Sequence, residues 1–412
     1  MAKTEKYVWG IGGSLPIIED HSLVKLEIIE KYLEVYIRHL TILPFIDKLK
    51  FAVIDGFSGG GLYKNINGQE ILGSPLRILD TIERLKKEIA FERENKKFKQ
   101  IDFDISTYCI EKNIATFNFL QQTLTNRGFS DLVQIVNGEF EKVYSSIIKK
   151  LRDKKYKKAI FLLDQYGYTD ATINTIKNIL GSFANAEIIL TFACDSLIDY
   201  LSSKNEKILI GLGLDKYEIE HLLDTKQDNS GNRQILQFTL LQIIINKIGA
   251  CYYTPFFVQG QKTHRAYWLL HFSNHPIARN EMVKLHYENH NSFIHYGGEG
   301  LDMFGYSTKN KNIMFSFTEE DRLKGLSLIK EQIQNKIINY NNKSFGTLIQ
   351  NEINNTPATI ETIQESLEEQ LYYEDIEIID PKTNNKINNP KNIKLDHFIK
   401  ISKYKQQRFK FK

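Results

Sequence analysis

Cysteine is scarce in this chain. Cys109, Cys194 and Cys251 are the three cysteines among 412 residues, and they lie far apart, without C-x-x-C pairs or Cys/His finger spacing. A disulfide framework or a structural zinc site needs several cysteines in a close pattern, so neither is indicated. We expect a protein of the reducing cytoplasm.

Proline and long apolar runs are also scarce. Eight prolines and 42% hydrophobic residues argue against extended disorder. No uncharged run reaches the roughly 20 residues that span a bilayer, and the first residues lack a signal-peptide pattern. The most apolar stretch, 236–258, is broken by polar residues and a proline and predicts a buried helix followed by a strand. We expect neither export nor membrane insertion.

Apolar runs rich in strand formers alternate with helical stretches. They cover residues 51–57, 102–113, 133–140, 158–168 and 186–195, and another covers 265–274. Before them, residues 21–41 have the apolar spacing of an amphipathic helix. This alternation predicts an α/β fold: a mostly parallel sheet with helices on both faces and a ligand site beyond the carboxyl ends of its strands.

A glycine-rich turn follows the first predicted strand. In order, its residues are Asp55, Gly56, Phe57, Ser58, Gly59, Gly60 and Gly61. Glycines allow a tight turn and a close approach of the backbone to a ligand. No G-K-[ST] follows, which excludes a P-loop, and no clean G-x-G-x-x-G is present. S-adenosylmethionine is the remaining common ligand of such a turn, and the alternative is a turn with no ligand.

Polar residues at three further strand ends complete the predicted site. Glu111, followed by Lys112, ends the second strand, and its carboxylate suits the vicinal hydroxyls of a ribose. Gly138 and Glu139 follow the third strand, where an adenine ring would rest. Residues 164–167 follow the fourth strand, on the side of the methyl acceptor.

The acceptor side supplies the predicted catalytic residues. Asp164 could hold or deprotonate a nucleophile, and Tyr166 could stack on a planar substrate. Gln165 and Gly167 complete this substrate-side segment. The long interval between Asp55 and Glu111 predicts an extra loop over the site, formed by residues 73–79. We expect its two polar residues, Ser74 and Arg77, to face the ligand.

Several of these segments together resemble the bacterial three-Cys-motif partner protein (TcmP) family. They are DGFSGGGLY, GSPLRIL, CIEKN, FLLDQYG and YWLLHFSNHPIA. The resemblance implies a Rossmann-like fold of the class I methyltransferase type, a C-terminal winged helix, and a radical-S-adenosylmethionine-like partner with a three-cysteine motif. The chain departs from the family where Gln165 replaces a proline and where Gly56 and Gly60 replace hydrophobic and proline residues.

We therefore predict three parts: a helical flank (1–50), a methyltransferase-like Rossmann domain with a helical insertion near 196–249 (51–310), and a helical linker with a winged helix (311–412). Charge in the last part is divided. Residues 344–381 carry nine acids and no base, whereas 382–412 carry ten bases and one acid. An acidic recognition helix disfavours entry into the major groove. The basic segment 382–412 suits nucleic acid or an acidic protein partner equally well.

Histidines and one lysine could extend the site. His271 and His275 are one helical turn apart, as are His286 and His290, but Pro276 disfavours a helix there and no third ligand has familiar spacing. Polar packing is therefore preferred to a metal site, and Asn274 and His275 are expected to fix a turn. Lys25 could reach over the sheet from the N-terminal helix, together with His21, but solvation is expected for an exposed lysine.

Three functions remain open from the sequence. The first is an S-adenosylmethionine-dependent methyltransferase whose acceptor is open, with nucleic acid as one candidate. The second is a non-catalytic adaptor on the same fold. The third is a nuclease-like defence effector, in which Asp55, Glu111 and Asp164 would converge on Mg²⁺. The lysine pattern expected of such nucleases is absent.

Overall fold

The computed structural model describes residues 7–165, 167–202, 206–228, 233–259, 266–288, 295–296, 314–315, 319–356 and 358–402. The chain divides into two compact units, Met1–Leu285 and His286–Lys412.

The first unit alternates strands and helices from its first long helix onward. Its elements are α1 (Asp20–Thr41), β1 (Lys48–Asp55), β2 (Leu62–Lys64), β3 (Glu70–Leu72), α2 (Ser74–Asn95), β4 (Asp102–Glu111), α3 (Ile114–Asn126), β5 (Val133–Asn137), α4 (Phe140–Asp153), β6 (Lys158–Leu163), α5 (Ile173–Ser182), β7 (Asn185–Phe192), α6 (Cys194–Tyr200), α7 (Glu206–Leu212), α8 (Lys216–Asp228), α9 (Arg233–Ile248), β8 (Tyr252–Gln259), β9 (Ala266–Ser273) and α10 (Pro276–Glu288).

Seven strands of this unit form one sheet in the order β5-β4-β1-β6-β7-β9-β8. The first five strands of the order run parallel, and β9 is antiparallel to both of its neighbours. This is the doubly wound, mostly parallel arrangement of Rossmann-like folds, with β9 as an antiparallel strand near one edge. The predicted α/β fold is confirmed, as are the helix and strand predicted within residues 236–258.

Burial explains the central strands. Phe51, Ala52, Val53 and Ile54 of β1 are fully buried, because helices cover both faces of the sheet. The strand order reverses at β1, so the topological switch point lies between β1 and β6. Ligands of open α/β sheets bind beyond the carboxyl ends of the strands at this point. Asp55 ends β1 there, and Asp164 follows β6.

One prediction about the segment after the glycine turn is wrong. Residues 74–79 form the first turns of α2 rather than a loop, with Gly73 as the N-cap and Pro75 in the first turn. Proline favours this position because its missing N–H has no partner in the first turn of a helix. The β2–β3 hairpin supplies the extra length between β1 and α2 instead.

The second unit contains helices and a small antiparallel sheet of order β12-β14-β13. Its elements are β10 (His295–Tyr296), β11 (Met314–Phe315), α11 (Glu319–Lys336), β12 (Lys343–Ser344), α12 (Phe345–Glu352), α13 (Ile360–Ser366), α14 (Glu368–Tyr372), β13 (Ile376–Ile379) and β14 (Phe398–Ile401). Residues 403–412, which hold half of the predicted basic segment's charges, lie outside the described residues.

Among the described helices, none combines the length and apolar character needed to cross a membrane.

Candidate functional site

The glycine turn has a backbone that requires glycine at two positions. Gly59 and Gly61 have φ angles of +59° and +79°, a region that other residues rarely adopt. Gly56 is needed for space, because a Cβ atom there would lie 2.8 Å from the Leu163 side chain. The Ser58 hydroxyl accepts a hydrogen bond from the Ile110 amide at 3.1 Å and so joins the turn to β4.

Glu111 holds the turn from the end of β4. Its Oε2 accepts a hydrogen bond from the Gly59 amide at 3.1 Å, and its Oε1 accepts one from the Asn113 amide at 2.7 Å. A carboxylate oxygen can accept more than one hydrogen bond, so these contacts leave capacity for a ligand hydroxyl. The predicted carboxylate therefore lies beside the glycine turn, where it also has a structural role.

Asp55 is a buried carboxyl group with an unsatisfied oxygen. It is 2% exposed, and Oδ1 accepts a hydrogen bond from the Phe57 amide at 3.2 Å, whereas Oδ2 has no partner among the described residues. Burial raises the pKa of Asp55 to about 7, with smaller contributions from the negative charges of Asp164 and Glu111. The Ser74 hydroxyl and the Phe57 amide act in the opposite direction.

Lys25 pairs with Asp164 across the switch point. Lys25 Nζ lies 2.6 Å from Asp164 Oδ1, and the side chains are 8% and 49% exposed, respectively. The predicted solvation of Lys25 is wrong, because α1 crosses this edge of the sheet and the pair compensates the buried ammonium. The side chain of His21 lies outside the described residues.

Tyr63, on the β2–β3 hairpin, joins these acids and was not predicted. Burial raises its pKa well above the ordinary value, and the charges of Asp164, Asp55 and Glu111 act in the same direction. The negative charges of all three strand-end acids therefore act on one neutral phenol. Its place just after the glycine turn was the available signal, but the sequence does not show which face of the hairpin it occupies.

Trp9 was also missed. A Cβ atom on Gly60 would lie 2.4 Å from the Trp9 ring, so the indole packs directly on the turn. Its Nε1 donates a hydrogen bond to the Leu62 carbonyl at 2.6 Å, and its ring contacts those of Tyr7 and Tyr63 at centroid distances of 5.9 and 5.2 Å. The segment before α1 is thus part of this site.

The adenine-side residues lie at the ends of β4 and β5. The Gly138 amide donates to the Glu111 carbonyl at 3.1 Å, which places it beside the predicted ribose ligand. Glu139 is exposed and forms an ion pair with Lys142 at 2.8 Å, which lowers the pKa of Glu139. Lys112 is exposed. Phe57 packs against Phe140, the first residue of α4, at 5.6 Å.

The loop after β6 is held by its own side chains. Gln165 is 7% exposed, and its Oε1 accepts a hydrogen bond from the Ala171 amide at 2.9 Å. The Gly167 amide donates to Asp170 Oδ2 at 2.8 Å. Tyr166, a predicted catalytic residue, lies outside the described residues.

Ser74 and Arg77 have different surroundings at the start of α2. The Ser74 hydroxyl lies at Asp55 and lowers the pKa of that carboxyl group. Arg77 donates through Nε to the Leu72 carbonyl at 2.9 Å and through Nη1 to Glu30 Oε2 at 2.7 Å. Its guanidinium group therefore links α2 to α1 and to the hairpin.

His271 and Asn274 lie in β9 and in the turn that follows it. His271 is buried in β9, where Nε2 lies 3.5 Å from Glu187 Oε2. Asn274 donates to the carbonyls of Leu180 and Phe183, which confirms its predicted role in fixing the turn. His290 lies outside the described residues, among which no group of three metal-ligating side chains occurs.

No protein-family model and no curated protein matches the chain. Similar solved structures include a Legionella pneumophila protein with the family model DUF519 (13% identity, TM-score 0.39, 65% of this chain and 90% of that chain). A candidate rRNA methylase of Clostridium thermocellum has 10% identity, a TM-score of 0.28 and coverages of 63% and 100%. The human methyltransferase 10 domain containing protein has 10% identity, a TM-score of 0.27 and coverages of 60% and 82%.

Proposed function

We propose that the chain is an S-adenosylmethionine-dependent methyltransferase. The observation that carries the proposal is the placement of Asp55, Glu111 and Asp164 at the carboxyl ends of the adjacent strands β1, β4 and β6, with Asp55 Oδ2 lacking a hydrogen-bond donor among the described residues. An acidic edge attracts a cation. S-adenosylmethionine carries an ammonium group, a sulfonium centre and two ribose hydroxyls, which match the acceptors present.

Each acceptor has a proposed role. Asp55 would accept from the ammonium group and Glu111 from the ribose hydroxyls, while the loop of Gly138 and Glu139 would border the adenine. When bound, the sulfonium supplies an electrophilic methyl group. Lys25 Nζ lies 2.6 Å from Asp164 Oδ1 and orients this carboxylate. Asp164 would accept the proton that the methyl-acceptor group gives up.

Two contacts favour a second function, a non-catalytic adaptor. The Lys25 ammonium already compensates Asp164, and the Trp9 ring already covers Gly60. Through these contacts the chain itself covers part of this edge of the sheet. The activity would then belong to a partner.

The partner is proposed from the family resemblance. We propose that the chain acts with a three-cysteine-motif radical-S-adenosylmethionine-like protein, and that the second unit is a winged helix. Its acidic helices and the basic segment 382–412 would dock that partner or nucleic acid, which is also the proposed methyl acceptor.

Labelled methyl transfer separates the two functions. The chain, alone and co-expressed with the three-cysteine partner, is incubated with methyl-labelled S-adenosylmethionine and total cellular RNA, DNA and protein. If the chain is the enzyme, we expect labelled methyl groups to be incorporated into one fraction. Asp164→Asn should abolish this incorporation, whereas Glu83→Gln, on the surface of α2, should retain it. Binding of S-adenosylmethionine without methyl incorporation into any fraction would favour the adaptor function.

A further inference from the structure

A cavity lies at the opposite edge of the same sheet. It has a volume of about 180 Å³ and lies between α1, α10 and the amino ends of β6 and β7, which begin at Lys158 and Asn185. Its lining includes Tyr32, Tyr36 and Glu187. The cavity is distinct from the candidate site, which lies at the carboxyl ends of the strands.

Glu187 places a buried carboxyl group in this cavity. The residue is 3% exposed. Its Oε2 accepts a hydrogen bond from the Tyr32 hydroxyl and lies 3.5 Å from His271 Nε2. Both contacts go to the same oxygen, and no described residue hydrogen-bonds to Oε1. A buried carboxylate is costly unless donors surround it, so Oε1 requires a donor from a water molecule or a ligand.

Two tyrosine rings stand beside this carboxylate. The rings of Tyr32 and Tyr36 have centroids 6.5 Å apart, and both residues line the cavity. The Tyr36 hydroxyl is buried and has no hydrogen-bond partner among the described residues. Burial and the nearby Glu187 raise its pKa, so the ring is neutral at physiological pH. Neutral aromatic faces attract cations, and an adjacent carboxylate strengthens that preference.

The other charges around the cavity do not satisfy Glu187. Glu281 pairs with Lys284 at 3.0 Å, and Lys158, in the part of the chain that the structure describes, forms no ion pair with Glu187. Burial lowers the pKa of His275, which favours its neutral form. The exposed His39 lies on α1 at the rim.

We propose that this cavity binds a small organic cation, an amine or a guanidine, with its charged group on Glu187 Oε1 and its alkyl part against the tyrosine rings that line the cavity. The volume of about 180 Å³ limits the ligand to a small molecule. An anion would meet the Glu187 carboxylate and is excluded.

Ligand-observed NMR on the full chain tests this site with three probes: ethylammonium, methylguanidinium and acetate. We expect saturation transfer to one or both cations and none to acetate. Glu187→Gln should weaken cation binding by about tenfold or more, because the charge-assisted hydrogen bond is lost. Glu34→Gln is the matched control, since Glu34 lies on α1 in ion pairs with Arg38 and Arg84 and should leave binding unchanged.

A second variant covers the case in which Glu187→Gln does not fold. Ala278→Leu adds volume from α10 into the cavity, leaves the carboxylate in place and should also abolish cation binding. Absence of cation binding by the wild type, or binding undiminished in Ala278→Leu, would overturn the proposal. The test uses no S-adenosylmethionine, so its result is independent of the proposed methyltransferase.

Discussion

The ammonium group of Lys25 lies 2.6 Å from the carboxylate of Asp164, a residue 139 positions later in the chain. Through this pair, α1 reaches the carboxyl end of β6 at the switch point. The partners differ in their surroundings, because the Lys25 side chain is 8% exposed and that of Asp164 is 49% exposed. Removal of either one therefore leaves a different group uncompensated.

We predict that Asp164→Ala destabilises the fold more than Lys25→Met does. The first change leaves a buried ammonium without its partner, at a cost of about 1–3 kcal/mol, whereas the second leaves a carboxylate that water can solvate. Urea unfolding of both variants shows which of them loses more free energy of unfolding. Glu139→Gln, which breaks the exposed pair with Lys142, should leave the midpoint unchanged. A larger loss for Lys25→Met would contradict the assigned burial.

Asp55 should make stability depend on pH. Its pKa is about 7 in the folded state and about 3.9 when unfolded. Between these values the folded state keeps a proton that the unfolded state releases, so the free energy of unfolding falls as pH rises, by up to ~1.4 kcal/mol per pH unit. The decline should level off above about pH 7, where both states are ionised.

Asp55→Asn isolates this group, because the amide does not titrate. Urea unfolding at pH 5 and pH 8 should show the variant gaining about 3 kcal/mol relative to the wild type between the two values. Asp47→Asn, at an exposed carboxylate, should show no such gain. If the free energies of unfolding of the wild type and Asp55→Asn differ by the same amount at both pH values, the pKa of Asp55 is not raised.

Trp9 and Gly60 should be energetically coupled. Gly60 has no positive φ angle, so Gly60→Ala acts through the contact of its new methyl group with the Trp9 ring and should cost about 1–3 kcal/mol. In a Trp9→Ala background the same change should cost almost nothing, giving a coupling of about 1–3 kcal/mol in a double-mutant cycle. Additive costs would mean that Trp9 does not lie on the turn in solution.

Arg93 should not tolerate lysine. Its buried guanidinium group donates to the carbonyls of Thr41, Leu43, Pro44 and Ile46, at the end of α1 and in the loop before β1, and to the carbonyl of Lys99 in the loop before β4. A lysine ammonium has three donors without the planar fork and leaves buried carbonyls unpaired. We expect Arg93→Lys to lose about 2 kcal/mol or more by urea unfolding. Near-wild-type stability would show that water replaces these contacts.

The sheet and the carboxylates at its strand ends were predictable because each signal is local. An apolar run predicts a buried strand, and the polar residue after it must lie at the carboxyl edge, which placed Asp55, Glu111 and Asp164. The predicted strands extend too far at their carboxyl ends. The residues after the last hydrogen bond of the sheet continue the strand-like sequence pattern, although they no longer pair with a neighbouring strand. The run predicted to end at residue 168, for example, ends at Leu163 as β6.

The contacts of Trp9 and Lys25 were not predictable by the same reasoning. Trp9 bonds to a residue 53 positions away and Lys25 to one 139 positions away, so no local pattern records either contact. A lysine on an amphipathic helix is exposed by default, and only the tertiary path of α1 over the sheet buries this one. Tyr63 was missed because a three-residue strand is too short for its alternation to assign a face.

Calorimetric titration with S-adenosylmethionine tests the central claim most directly. The account predicts binding by the wild type and a loss of about tenfold or more in Glu111→Ala, because the ribose acceptor is removed. Circular dichroism of the variant checks that the fold is retained, since Glu111 also holds Gly59. No binding by the wild type, or equal affinity in a folded Glu111→Ala variant, would contradict the claim that these strand ends form a site for this cofactor.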